Sequence, residues 1–503
     1  MTDHVQEFHR RTSYERGKIA GPPLDWANEP DAFKIYPGLE TISLIHPANG
    51  PEDYVSDLLG ENLQFDHHFE MDFTKLSTIL NNTHAMTAKA RYKDKDFFYR
   101  SIASAGALYP FELYVGATNI AGLDDGIYHH AIGLQSLAVL GKGSILPELA
   151  RGVQLSEATR PTAVFFITAI FFRSAWKYRT RAYRYHLLDS GHMLENLTLA
   201  LKAMRAPYTL YYDFDDTVIN QLLGLNPKRE VCLAIACTLG KEYESETQEE
   251  PARIPHEAMR ASQVAHVETD YPAIRKLHRL STPILDTMEQ PEMIDHLGLK
   301  PLQQTKIMLP EKWPELVTYP EAVFRRRSLR NFVQGEFKAE IFTGFLKILC
   351  SEDSSREDAP SGLSRSIAVG FLANESTGLE PGFYLLDRKA AAVSLVAPGL
   401  FMERMAHVCV DQEWLANCSI HVLFMANLQV LNATRGPRGY RHAFLASGRL
   451  GQRLYVGAAS MRIGCCGIGA FYDYEASELL GLNSVSKLLY LVGIGPVKKY
   501  ASI

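Results

Sequence analysis

Two short stretches of this sequence have residue types suited to holding a phosphorylated or flat ligand. Arg325 to Arg330 reads "RRRSLR". Guanidinium forks pair with phosphate oxygens two at a time, so the cluster suits a single phosphate; a solvated basic patch or a capping loop explains it as well. The second stretch, "YRSIASAGALYPFELYVGA" from Tyr99, is a turn of small residues ahead of a strand. Such a turn leaves backbone N–H groups open to a ligand, although a plain tight turn is the simpler reading. In the second half "DAPSGLSRSIAVGFL" precedes "GLEPGFYLLD" as the first turn precedes "GLDDGIYHHA", and that repetition strengthens the case.

Other chemistries find little support. His67-His68 and His129-His130 are adjacent pairs without the i, i+4 spacing of a zinc helix, so no metal is expected. Neither a dinucleotide glycine fingerprint nor a P-loop occurs. The seven cysteines form no C-x-x-C pair, which suggests a reducing cytoplasm, with Cys465 and Cys466 as buried structural thiols.

The elements that would position these residues are duplicated. "RAYRYHLLDSGHMLENLTLALKAMR" from Arg181 returns 257 positions later as "RGYRHAFLASGRLGQRLYVGAASMR" from Arg438. Identities fall at Arg181/Arg438, Arg184/Arg441, Ser190/Ser447, Gly191/Gly448 and five further pairs. The copy continues downstream, where "NQLLGLNPKREVCLAIACTLGK" matches "SELLGLNSVSKLLYLVGIGPVK", and upstream, where "AVFFITAIF" matches "IHVLFMANL". Each copy reads as strand, loop, long helix, short strand, turn and final strand, an α+β unit built twice. Ser190, Gly191, Ala200 and Ala203 would let another backbone approach the first helix closely.

The chain has 503 residues, 46% of them hydrophobic and 22% charged, with a net charge of -5. Such a composition supports a sizeable core and gives no broad basic face for nucleic acid. The first residues lack the apolar segment of a secretory signal, and the longest apolar run, Ala163 to Phe172, is half a membrane span and reads as a buried strand. We expect an arm over 1–65, a first domain over 66–245, a connector over 246–315 and a second domain over 316–503.

Together, "FHRRTSYERGK", "LDWANEPDAFKIYPG", "RSIASAGALYPFELY", "WKYRTRAYRYHLLDSGHMLENL" and "RRRSLRNF" resemble the SagB-type dehydrogenase branch of the nitroreductase superfamily, in a tandem form. The resemblance implies two nitroreductase-like FMN-binding domains forming an intramolecular pseudo-dimer, with flavin in a cleft between them. Arg326, Arg327, Ser328 and Arg330 would clamp its phosphate. Ile468 and Gly469 would lie near the ring, and Ser104, Ala105 and Gly106, with Arg100, would come from the first half.

Lys177-Tyr178 resembles the pair that azoline oxidases of this branch use beside the flavin. Lysine can act as a base there if burial or a nearby cation lowers its pKa; its counterpart is Thr434-Arg435. The reciprocal cleft would use "RRTS" at Arg10 to Ser13, "YTLYYDF" at Tyr208 to Phe214 and the turn Pro360-Ser361-Gly362, and is expected to be degraded. The implied activity is oxidation of azolines in a modified peptide or a related small metabolite, alongside other biosynthetic enzymes. The alternatives are a broad NAD(P)H-dependent nitroreductase and a flavin-free peptide-binding partner.

Overall fold

The structure, a computed structural model, describes residues 3–19, 22–46, 50–92, 95–153, 155, 161–239, 250–284, 290–352, 356–357 and 363–498. Pro360-Ser361-Gly362 lies outside them. The apolar run after Pro161 forms a strand through Ile170, buried along nearly all its length. It is central in a mixed sheet ordered Thr41–Ser43, Ser136–Lys142, Gly126–Ala131, Phe111–Ala117, Pro161–Ile170, Glu230–Leu239, Tyr208–Tyr211. The second half builds the same order from Gln303–Lys306, Ala392–Pro398, Gly382–Asp387, Ala368–Ala373, Ile420–Asn427, Ser486–Gly495 and Gly464–Ile468. Arg356–Glu357 crosses from the second half to extend the first sheet, pairing parallel with Thr209 and Leu210.

The expected loop before each long helix is itself helical. Phe171–Tyr178 and Leu428–Arg435 are eight-residue helices, because apolar residues in both recur at helical spacing. The expected turn after the short strand is likewise a helix in each copy, Asp216–Leu222 and Asp473–Leu479.

The long helices, Ala182–Ala203 and Arg438–Ser460, are buried at every position and pack against each other. A Cβ on Gly191 would meet the carbonyl oxygen of Leu445 at 2.3 Å, and one on Gly448 would meet that of Leu188 at 2.1 Å. Backbone touches backbone at this crossing, and a single apolar core runs through both halves.

The arm and the connector also turn out to be related. His4–Arg11 and Pro272–Leu280 are matching helices, "FHRRTS" against "LHRLST", and the edge strands Thr41–Ser43 and Gln303–Lys306 follow them. A search at one fixed spacing misses this, since insertions shift the spacing outside the matched domains.

Crossed ion clusters lock the halves together. Arg181, which precedes the first long helix, and Arg184 within it bind Asp473 of the second half, with His9 Nε2 3.5 Å from that carboxylate. Arg438 and Arg441 bind Asp216 of the first half, each at 2.8 Å, with His278 Nε2 also at 3.5 Å. Burial opposes ionisation of Asp473, but Arg181 and Arg184 hold its pKa well below the usual carboxylate range. Buried pairs of this kind add little net stability, but they cost heavily when one partner is lost. Among the described residues no helix is long and apolar enough to cross a membrane.

Candidate functional site

The turn at Ser104 is held from below by the first long helix. Ser104 Oγ donates to Asp189 Oδ2 at 2.6 Å, the Ala105 N–H donates to the same carboxylate at 3.3 Å, and Ser104 Oγ accepts from the Tyr109 N–H at 2.9 Å. Gly106 at φ 64°, Ala107 at 54° and Tyr109 at 45° put three residues in the left-handed region, a conformation that only glycine adopts without cost. At Gly106 space is also short. A Cβ there would stand 2.6 Å from the Tyr178 hydroxyl and 3.2 Å from Lys177 Nζ.

This turn forms one wall of a cleft of about 810 Å³, including its open mouth, a size suited to a small-molecule ligand. Tyr178, Tyr185 and Asp189 line it from the first half, and Ser328, Arg330, Tyr455 and Cys466 to Ala470 from the second. Glycine sets the facing wall: a Cβ on Gly469 would stand 2.4 Å from the Tyr185 ring and one on Gly467 1.7 Å from the Tyr490 hydroxyl. Arg181 Nη2 and the Tyr185 hydroxyl both donate to the Gly469 carbonyl, at 2.8 and 3.1 Å. Ser328 Oγ lies 2.9 Å from the Tyr455 hydroxyl, which accepts from the Gly467 N–H at 2.7 Å.

Ser104, Ala105, Gly106, Ser328, Arg330, Ile468, Gly469 and Tyr178 therefore line one cleft, with Lys177 Nζ beside Gly106. The remaining expected residues stand behind its walls. Arg326 is buried and donates to the carbonyls of Ser101 and Arg100, each at 2.9 Å, while its Nη1 has no partner. Arg327 turns to the hairpin of Met86–Tyr92 and Lys95–Arg100, donating to Thr87 Oγ1 at 3.1 Å. Arg100 is buried against His84, 3.1 Å away, and the Tyr109 ring. The expected four-residue clamp is thus split, with only Ser328 and Arg330 in the cleft lining.

Burial first, and then the Arg330 charge, lower the pKa of Lys177. Burial raises the Tyr178 hydroxyl. Asp189, 4% exposed, is pushed up to about 7 by burial, against the hydrogen bonds from Ser104 and Ala105. His192, one turn further along the same helix, is lowered to about 4 by burial and lies 3.1 Å from the Tyr490 hydroxyl. Cys466 reaches the cleft, but burial raises its thiol.

Asp189 was not singled out in the sequence, although the duplication carries the signal: its counterpart is Ala446, and that of His192 is Arg449. In the mirror-image position the helix carries no cleft carboxylate. Tyr212 stands where the other copy has Gly469, and its hydroxyl accepts from Arg449 Nη1 at 2.7 Å. Arg449 and Arg453 both bind Glu195. Buried side chains fill that space.

One sequence expectation changes here. Thr12 of "RRTS" does not join Tyr208 to Phe214; its carbonyl accepts from Arg181 Nη1 at 2.7 Å and its hydroxyl from Arg184. The Tyr14 ring of the arm lies 4.2 Å from the Arg181 guanidinium, which in turn reaches the Gly469 carbonyl. Ser281 takes the mirrored place, its carbonyl accepting from Arg438 at 3.2 Å.

A cleft shared by two copies of one α+β unit is matched by sequence comparison, since residues 64–241 and 324–496 each fit the nitroreductase family. The chain belongs to the nitroreductase family. Its relatives include a protein of Methanocaldococcus jannaschii named as a nitroreductase, 24% identical over 191 residues, or 37% of this chain and 96% of that protein. The microcin B17-processing protein McbC of Escherichia coli is 21% identical over 242 residues, 44% of this chain and 85% of McbC. The trifolitoxin-processing protein TfxB of Rhizobium leguminosarum bv. trifolii is 27% identical over 165 residues, 31% of this chain and 44% of TfxB. These two relatives support the SagB-type resemblance. A nitroreductase structure from Anabaena variabilis matches 99% of this chain and all of its own with a TM-score of 0.79 at 23% identity, so the same tandem fold recurs there.

The cleft fits a flavin mononucleotide. Ser328 and Arg330 in its lining and glycine-lined walls provide for an anion and a flat ring.

Proposed function

We propose that this nitroreductase-family chain is an FMN-dependent dehydrogenase that oxidises azoline rings in a modified peptide or a related small metabolite, with one flavin per chain. The observation that carries this reading is the meeting of Lys177 and Tyr178 with Gly106 on the wall of a cleft built from both halves. Ser104, Ala105, Gly106, Ile468 and Gly469 would face the cofactor ring. Ser328 and Arg330 would hold its polar end, with Arg100, Arg326 and Arg327 bracing the walls. Bound FMN supplies the acceptor for a hydride.

Lys177 performs the complementary step. Burial and Arg330 favour its neutral amine, which takes the ring proton, so that the azoline loses one proton and one hydride and gains the double bond of the azole. Tyr178, packed on Tyr185 at 4.6 Å between ring centres, orients the amine and the substrate. The peptide-processing relatives support a peptide substrate and partnership with other biosynthetic enzymes.

The test is the flavin content of the purified protein together with its action on a thiazoline peptide. The expected result is one FMN per chain and a loss of two hydrogens from the peptide. Oxidation of NAD(P)H with a nitroaromatic, and none of thiazoline, would favour the broad reductase; a protein that takes up no FMN would favour the flavin-free partner.

A further inference from the structure

Outside the cleft, the described surface has a second large concavity. It opens between the Pro272–Leu280 helix, the Asp216–Leu222 helix and the Pro227-Lys228 loop, with about 1960 Å³ of space continuous with solvent. Its floor is apolar, from Leu225, Met259 and Ala273, and its rim carries Arg11, Lys228, Lys276 and Arg279. Lys228, Lys276 and Arg279 are exposed and form no ion pair among the described residues. The one carboxylate in the lining, Asp216, is buried and bound by Arg438 and Arg441. In a chain of net charge -5 this local excess of cations stands out.

The groove also leads somewhere. Past Lys228 and Arg275 it meets a depression of about 840 Å³ lined by Phe171, Ala175, Tyr271 and Ile274, where Glu268 and Asp270 are paired with Arg229 and Arg275. Phe171 and Ala175 belong to the short helix that ends in Lys177 and Tyr178. At 1.5 Å per residue, Ala175 is about 5 Å along that helix from Tyr178.

We propose that this groove docks an acidic, partly apolar segment of the peptide substrate, upstream or downstream of the ring being oxidised. The proposal rests on the peptide-substrate reading above. Cations from three separate elements around an apolar floor suit side chains of both kinds spread along a peptide, and electrostatic steering would raise the rate of encounter.

The test uses the flavin-loaded full chain and a short fluorescein-labelled peptide of alternating glutamate and leucine, followed by anisotropy. Binding should weaken with added salt and fall by about tenfold or more in Lys228→Glu/Lys276→Glu/Arg279→Glu. Lys177→Ala should bind the peptide unchanged. Equal affinity of the triple variant, or equal binding of a lysine-leucine peptide, would overturn the proposal, as would displacement of the peptide by inorganic pyrophosphate, which would mark a small phosphorylated ligand. Flavin retention by the triple variant controls for folding. The probe contains no azoline, so an enzyme inactive on thiazolines that still binds it refutes the proposed activity and not the docking surface.

Discussion

A Cβ built on Gly191 would stand 3.0 Å from the Cα of Gly448, and one built on Gly448 would stand 3.0 Å from the Cα of Gly191. The two longest helices thus cross where neither has a side chain, and a Cβ on either glycine would also collide with a carbonyl oxygen of the opposite helix. Gly191→Ala should cost roughly 2–3 kcal/mol through overpacking, read as a lower urea midpoint. Gly50→Ala, which meets nothing within 4 Å and is not at positive φ, controls for the glycine-to-alanine change itself.

Asp189 predicts a pH signature. Burial raises its pKa to about 7 from the ordinary carboxylate value of 3.8, so the folded state holds a proton that the unfolded state releases first. This contribution is fully present at acidic pH and is lost as pH rises from about 4 through 7. Asp189→Asn should therefore gain stability relative to the parent across that window, by an amount on the order of a few kcal/mol at pH 8. Thermal melts of both proteins from acid to mild alkali would show it. Parallel curves would mean that Asp189 stays ionised.

For the proposed chemistry, Lys177→Ala should retain FMN and lose azoline oxidation by about 100-fold or more, whereas Thr434→Ala at the counterpart position should retain both FMN and activity. Arg330→Ala removes a cation that lowers the lysine pKa. The acidic limb of kcat/KM should then shift to higher pH, and flavin should bind more weakly. An unshifted limb would remove Lys177 from the role of base.

The crossed ion clusters allow a paired comparison. Asp473→Asn leaves Arg181 and Arg184 without their carboxylate, whereas Asp216→Asn strands Arg441 while Arg438 keeps Asp213 at 2.9 Å, so the first should cost about 3–5 kcal/mol and the second less. Only Asp473 shares Arg181 with the Gly469 carbonyl, so only Asp473→Asn should also loosen the flavin. Chemical denaturation and flavin fluorescence measured side by side separate the two effects.

Much of the cleft could be read from the letters because its parts are local: a turn of small residues around Gly106, a cationic run ending in Arg330 and, through the family resemblance, Ile468 and Gly469. What could not be read is where long side chains turn. Arg326 and Arg327 sit in a motif that promises phosphate contacts, yet carbonyls of the other half capture the first and the hairpin captures the second, and only tertiary packing decides that competition. The arm and the connector escaped recognition as copies because their similarity is confined to a helix of eight or nine residues and an edge strand of three or four. The helical character of Phe171–Tyr178 was hidden by the strand running directly into it.

The contrast between Gly469 and Tyr212 has a consequence for how such a protein can change. Where two identical subunits meet, every substitution appears on both sides, so a residue that closes one cleft closes the other. Joining the copies in one chain removes that constraint. One half can then carry the bulk that stiffens the assembly while the other keeps the opening, and selection can act on each separately.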